Sequence, residues 1–206
     1  MKKEAGITCL FLDIGGVLLT NAWGHESRRK AADTFNLNYD DMEVRHQLNQ
    51  DTYEVGKLTL DEYLTRVVFY EKRNFTPDQF REFMFSQTAP FMEMIEFIQN
   101  IKEKHRLKIA VVSNEGRELN AYRIKKFQLD RFVDFFISSC FIHFRKPDAD
   151  IFRLALDIAQ VPTEQIVYIE DLQMFVDVAS NLGIRGIRHQ NQLSTSAELA
   201  SLGLEI

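Results

Sequence analysis

Continuous apolar runs recur along the chain at ITCLFL (7–12), KIAVVS (108–113), DFFIS (134–138) and IVYI (166–169), with a fifth candidate at 184–187. Unbroken rather than alternating hydrophobicity is the pattern of strands buried on both faces. The spacers carry helical patterns instead. MEMIEFIQNIKEKH (92–105) precedes the second run, and ELNAYRIKKFQL (118–129) and DIFRLALDIAQ (150–160) fill the next two intervals. MFVDVASNLG (174–183) follows the fourth. Strands alternating with helices predict an α/β fold with a doubly wound, right-handed, Rossmann-like parallel sheet. In such a sheet ligands gather at the carboxyl ends of the strands, where Asp13, Ser113 and Glu170 fall.

Residues 20–88 break this rhythm, since they hold no convincing strand and several helix candidates. Thr59 with Glu62 and Thr76 with Gln79 are spaced as capping boxes, and Pro77 stands at a first helical position. The segment therefore predicts a small all-helical insert after the first strand, with residues 1–19 and 89–206 forming the core domain. Leaving and returning beside the strand ends, the insert would stand over them as a lid. Most of its aromatic residues read as core, although the Phe and Tyr of TRVVFYEKRNFTPDQFREFMF (65–85) are also candidates to line a pocket beneath the lid.

Composition narrows the function classes. At 206 residues, 45% hydrophobic and 27% charged, the chain can bury a sizeable core and an accessory lobe. A net charge of −5 without basic clusters argues against nucleic acid as a partner. Two cysteines, Cys9 and Cys140, make no disulfide framework and no zinc-type spacing, so they read as buried free thiols in a reducing compartment. The start MKKEAGITCLFLD has only a brief apolar run that Asp13 interrupts, which fits neither a signal peptide nor a membrane span. The cytoplasm is the expected location, and oligomeric state is not legible.

Four points could carry chemistry. FLDIGGVL puts Asp13, a candidate nucleophile, at a strand tip with glycines behind it. VVSNEG places Ser113, Asn114 and Gly116 where a hydroxyl and backbone N–H groups can hold phosphate oxygens. RKPD sets Lys146 before a proline, on extended backbone that can aim a point charge inward. YIED ends a strand on Glu170 and Asp171, adjacent carboxylates that are costly to keep together unless a cation shares them.

In order and context these four points resemble motifs I to IV of the haloacid dehalogenase-like (HAD) superfamily, over essentially the whole chain, with residues 20–88 as its C1 cap. DTYEVGKLTLDEYL, RKPDADIFRLAL and ASNLGI are most similar to small bacterial sugar-phosphate phosphatases of the α-glucose-1-phosphate phosphatase type. The resemblance implies that Asp13 attacks phosphorus to form an aspartyl-phosphate. It implies Mg²⁺ held by the Asp13 carboxylate, the Gly15 carbonyl and Asp171, with Glu170 supporting it directly or through water. Ser113 and the N–H of Asn114 would bind phosphoryl oxygens, and Lys146 would neutralise charge between nucleophile and phosphate.

One position departs from the family pattern. Most HAD phosphatases carry a second Asp two residues after the nucleophile to protonate the leaving group, and here that residue is Gly15. General acid–base help is worth roughly 10²–10⁴ in rate. Three accounts stand. The first is a Mg²⁺-dependent phosphatase whose leaving group needs little protonation, or whose acid comes from elsewhere. His25 in TNAWGHESRR is then the natural donor, and Glu115 is a weaker one beside the phosphate-binding turn. Trp23 would pack at the cap–core junction or touch substrate, and Arg28 or Arg29 would meet a second charged group. The second account is a metal-free attack on carbon, as in the 2-haloacid dehalogenases, which the retained Glu170–Asp171 pair opposes. The third is a phosphate-binding or regulatory protein with negligible turnover.

Overall fold

The computed structural model describes residues 6–206, so the basic start at residues 1–5 lies outside it. Five parallel strands form one sheet: β1 (Cys9–Leu12), β2 (Lys108–Ser113), β3 (Phe135–Ser138), β4 (Ile166–Glu170) and β5 (Arg185–Arg188), in the order β3-β2-β1-β4-β5. Register pairs Leu12 with Val111 on one side and with Ile169 on the other, so the central strands end level with one another. The strand order reverses at β1, and that puts the topological switch point directly beyond Leu12.

The unbroken apolar runs are explained by the two faces they fill. Leu10, Leu12, Ile109, Val111, Val167 and Ile169 point to one face, where helix α5 (Met92–His105) packs through Met94, Ile98 and Ile101. Cys9, Phe11, Ala110, Val112, Ile166 and Tyr168 point to the other, against α8 (Asp150–Ala159) and α9 (Gln173–Ser180). Alternate residues of one strand thus serve two cores. Both cysteines are buried and free, and burial pushes each thiol up to about 12.

Between β1 and β2 the chain forms α1 (His25–Phe35), α2 (Tyr39–Glu54), α3 (Leu60–Val67) and α4 (Pro77–Ser86). Both capping boxes form. Thr59 and Glu62 open α3, and Thr76 and Gln79 open α4 with Pro77 at its first turn. The outgoing and returning segments run side by side: Thr20 N–H donates to the Ala89 carbonyl at 2.9 Å, and Phe91 N–H to that of Leu18 at 2.9 Å. The helices share a third core of Tyr63, Leu64, Phe80 and Met84, with Phe35, Phe69, Phe75 and Phe83 packed against it. Phe35 meets Phe75 at 4.5 Å and Phe80 at 5.0 Å between ring centroids.

The sequence pattern runs past some element ends. Helix α6 (Arg117–Lys126) stops before Gln128, whose left-handed backbone (φ 53°) turns the chain into a 3₁₀ turn at Leu129–Arg131. A four-residue helix, α7 (Ser139–Ile142), and α10 (Gln192–Ser201) are additions to the expected elements. The polar sequence of α10 buries only Thr195 and Leu199, too few positions to show a periodicity. No described helix is long and apolar enough to cross a membrane.

Candidate active site

Beyond the ends of β1, β2 and β4, under α2, lies a cavity of about 330 Å³. Asp13 continues β1 by one residue. Its N–H is held by the Ile169 carbonyl at 3.0 Å, and its side chain is 11% exposed. Lys146 Nζ, 1% exposed, stands 3.0 Å from Asp13 Oδ1, 2.6 Å from Glu170 Oε2 and 3.1 Å from the Tyr168 hydroxyl. Burial pushes the Asp13 carboxyl above its ordinary value against the pull of Lys146. Burial alone would lower the Lys146 ammonium, but Asp13 and Glu170 outweigh it and hold the charge.

Glu170 has both oxygens engaged. Oε2 accepts from Lys146 and from the Tyr168 hydroxyl, and Oε1 accepts from Leu172 N–H at 3.1 Å. Through Oε2 it holds Lys146 in place beside Asp13. Asp13, Glu170 and Asp171 nevertheless bring one carboxylate oxygen each within 4.8 Å of one another. Asp171 comes this close because of Gly16: a Cβ there would stand 2.2 Å from Asp171 Oδ2, and the backbone has φ +75°.

The turn after β2 contributes Ser113, Asn114, Glu115 and Gly116 to the lining. Ser113 stands beside Asp13, and its hydroxyl favours the ionised carboxylate. The Asn114 side chain donates to the Lys146 carbonyl at 2.9 Å and accepts from Lys146 N–H at 2.8 Å. It thereby locks the lysine loop to this turn. Glu115 is 4% exposed, with Oε1 taking a hydrogen bond of 2.5 Å from Arg123 Nη1. Burial pushes its carboxyl up to about 7 against the pull of Arg123, and nearby Asp13 and Glu54 add to the rise.

The helical side differs from expectation. His25 is absent from the cavity lining. It is exposed at the first turn of α1, with its ring against Tyr39 at 5.5 Å, and Arg29 lies over the same Tyr39 ring at 4.3 Å. Arg28, on the same helix, is buried and does line the cavity. Arg28 is spent on a bidentate pair with Glu43, both bonds at 2.7 Å, and on the Trp23 carbonyl. That pair holds the Glu43 carboxyl down to about 2. Trp23 does line the cavity and donates from Nε1 to the Tyr63 hydroxyl at 2.8 Å. Of the aromatic-rich stretch 65–85 only Met84 reaches the lining, because its rings are consumed by the third core.

Sequence reading missed His46, Gln50, Tyr53 and Glu54, which line the cavity from α2. Their spacing of i, i+4, i+7 and i+8 is one helical face, and that was the available signal. His46 Nδ1 is 2.7 Å from the Tyr63 hydroxyl. Since that hydroxyl accepts from Trp23, its proton goes to Nδ1, and the imidazole is neutral with hydrogen on Nε2. Burial holds His46 down to about 4.

Comparisons with known proteins bear on the family and the fold. The family model described as haloacid dehalogenase-like hydrolase matches residues 12–188. A phosphorylated carbohydrates phosphatase of Thermotoga maritima is 23% identical, over 86% of this chain and 82% of its own length. Among solved structures, a HAD family enzyme from Bacteroides thetaiotaomicron in complex with magnesium and inorganic phosphate superposes with a TM-score of 0.76 at 19% identity, covering 90% of this chain and 95% of that one. A predicted HAD-like family hydrolase from Porphyromonas gingivalis gives 0.76 at 20% identity, covering 98% and 100%. A family match that runs from the strand bearing the nucleophile candidate to the last strand of the sheet, on a shared fold, places the chain among the haloacid dehalogenase-like hydrolases.

Proposed function

We propose that this hydrolase is a Mg²⁺-dependent phosphohydrolase for a small phosphorylated metabolite, a sugar phosphate in the first instance. The observation that carries the reading is the meeting of a buried aspartate, a buried lysine 3.0 Å from it and a second carboxylate, Asp171, at one cavity floor. An anionic nucleophile can approach a phosphate dianion only where cations offset both charges. The phosphatase relative from Thermotoga maritima and the neighbour holding magnesium and phosphate support the same chemistry.

The residues fit a divalent cation. Asp13 Oδ1 is buried without a well-aligned hydrogen-bond donor, and Gly16 leaves the space that the Asp171 carboxylate needs. Asp13, Asp171 and the Gly15 carbonyl would hold the ion, an all-oxygen set suited to Mg²⁺. When bound, the ion supplies positive charge that screens the nucleophile from the phosphoryl oxygens.

In this proposal Asp13 attacks phosphorus in line and carries the phosphoryl group until water releases it. Ser113 and the Asn114 N–H orient the phosphoryl oxygens, and Lys146 balances their charge. The insert helices serve as the cap. Trp23 and the α2 face of His46, Gln50 and Glu54 offer a ring and hydrogen-bonding groups to a hydroxyl-rich leaving group.

Phosphate release should be measured over a panel of sugar, acyl and aryl phosphates, with Mg²⁺ and with EDTA. The reading requires release that EDTA suppresses and that Asp13→Asn abolishes. Absence of release from every class by folded protein would overturn it in favour of phosphate binding without turnover.

A further inference from the structure

We propose that Glu115 carries the proton that Gly15 cannot, acting as general acid toward the leaving group and then as general base toward water. The inference rests on the phosphohydrolase reading above and names the residue that completes it.

The place of the missing acid is filled by something else. A Cβ on Gly15 would stand 2.4 Å from Asn21 Oδ1, so the Asn21 amide occupies the space where a side chain at position 15 would begin. An amide can hydrogen-bond to substrate, but it does not exchange a proton at neutral pH. The donor must come from another wall of the same cavity.

Each element facing Glu115 offers titratable or charged groups, and most are committed. From α2, His46 stays neutral with its Nδ1 taken by Tyr63, Glu54 is paired with Arg145 at 2.9 Å, and the Tyr53 hydroxyl is pushed well above its ordinary value, chiefly by burial. From the strand ends, Asp13 and Lys146 form the ion pair described above, and Asp171 belongs to the acidic trio. From α6, Arg123 holds Glu115 itself.

Glu115 is the group left with the right attachment. It follows Ser113 and Asn114 directly, so its backbone adjoins the groups that would hold the phosphoryl oxygens. Its own N–H is anchored on Ser139 Oγ at 3.0 Å. Arg123, fixed in turn by its Nη2 bond of 2.7 Å to the Thr20 carbonyl, grips Oε1, while Oε2 takes no hydrogen bond among the described residues. One oxygen is therefore clamped and the other is available. Burial, which pushes this carboxyl up to about 7, keeps both protonation states populated at neutral pH, the condition for one group to serve in both halves of a reaction.

The chemistry balances. In the first step an Asp13 oxygen forms a bond to phosphorus, the ester P–O bond breaks, and the Glu115 carboxyl proton goes to the departing oxygen. The products are an alcohol, the aspartyl-phosphate and a Glu115 carboxylate. In the second step water forms a bond to phosphorus and gives a proton to Glu115, and the bond between phosphorus and the Asp13 oxygen breaks. Free phosphate leaves, and both side chains return to their starting states.

The test compares kcat for an alkyl phosphate and for 4-nitrophenyl phosphate, whose leaving group needs no proton, in wild type and Glu115→Gln. Glu115→Gln keeps an oxygen for Arg123 and loses the proton. Its alkyl turnover is expected to drop about 10²-fold, at least tenfold more than its aryl turnover, with loss of the pH limb near 7. A carboxyl infrared band titrating near pH 7 in wild type should be missing from the variant. Glu115→Asp, which withdraws the carboxyl by one methylene, is expected to show the same preference for the aryl ester if Glu115→Gln does not fold. Equal losses on both esters, or an unchanged alkyl rate, would overturn the role of Glu115 and leave the phosphohydrolase reading standing. No release from either ester by the wild type would instead remove that reading, and this inference with it.

Discussion

The floor and the roof of the cavity are built by different means. On the floor, Asp13, Ser113, Glu170 and Asp171 sit at or just past strand ends, and the ladder pairing Leu12 with Val111 and Ile169 delivers them to one place. The ladder sets where their backbones end, and Gly16 leaves the room that lets Asp171 join the others. In the roof, α1 and α2 meet the cavity through faces whose rotation is set by packing among Phe35, Tyr63, Phe80 and their neighbours. Charged groups on the floor point at one another. In the roof they are mostly matched among themselves, as in Arg28 with Glu43. The contrast teaches that the groups proposed to do the chemistry are placed by backbone hydrogen bonds, while the part held by side-chain packing is the one free to vary.

Lys146→Met makes the largest difference this contrast predicts. It leaves Asp13 and Glu170 facing each other without a cation, and phosphate release is expected to fall about 10³-fold or more. Loss of less than tenfold in steady-state kcat would mean that the floor is not where the chemistry lies.

Phe80→Ala addresses the roof. Phe80 is fully buried among aromatic rings, and its truncation should cost about 3–5 kcal/mol in urea unfolding. A cost under about 1 kcal/mol would show that the roof does not depend on this packing.

His46 and Glu115 give the two sides opposite pH responses. His46 is held near 4 in the fold against 6.5 when free, so its contribution is full above pH 6.5 and is lost as pH falls through 4, about 3 kcal/mol in all. Glu115 is raised from 4.5 to about 7, so its burial is costless below pH 4.5 and increasingly destabilising as pH rises toward 7. Wild type measured against His46→Gln by urea unfolding between pH 7 and 4.5 should show the extra acid sensitivity in wild type alone. Parallel stability curves would contradict it.

The smallest effect is expected at Arg145, which joins Lys146's loop to Asp51 and Glu54 of α2. With Asp51 78% exposed, water screens much of this bridge, and Arg145→Gln should cost about 1 kcal/mol or less in the same unfolding assay. A larger loss would make it a principal fastening between roof and floor.

These outcomes bear on what was legible beforehand. The α/β class, the parallel sheet and the strand-tip residues could all be read, because hydrophobic runs and capping boxes are local signals whose consequences do not depend on distant neighbours. His25 and His46 show where that ends. Both stand in polar helical segments, yet His25 faces outward against Tyr39 and His46 lies buried under Tyr63. The spacing of His46 with Gln50, Tyr53 and Glu54 groups them on one face, but which way that face turns is decided by packing against rings from α3 and α4.

Position 15 draws the same line more finely. From the chain alone it was certain that Gly15 has no proton to give, since that is a property of the residue. That Asn21 fills its place, and that Glu115 becomes a buried carboxyl gripped by Arg123, follow only once three separate segments are folded together. Residue chemistry and periodicity are local and survive in the sequence. Burial and proximity are collective, and they turn an ordinary glutamate into a group that titrates near neutrality.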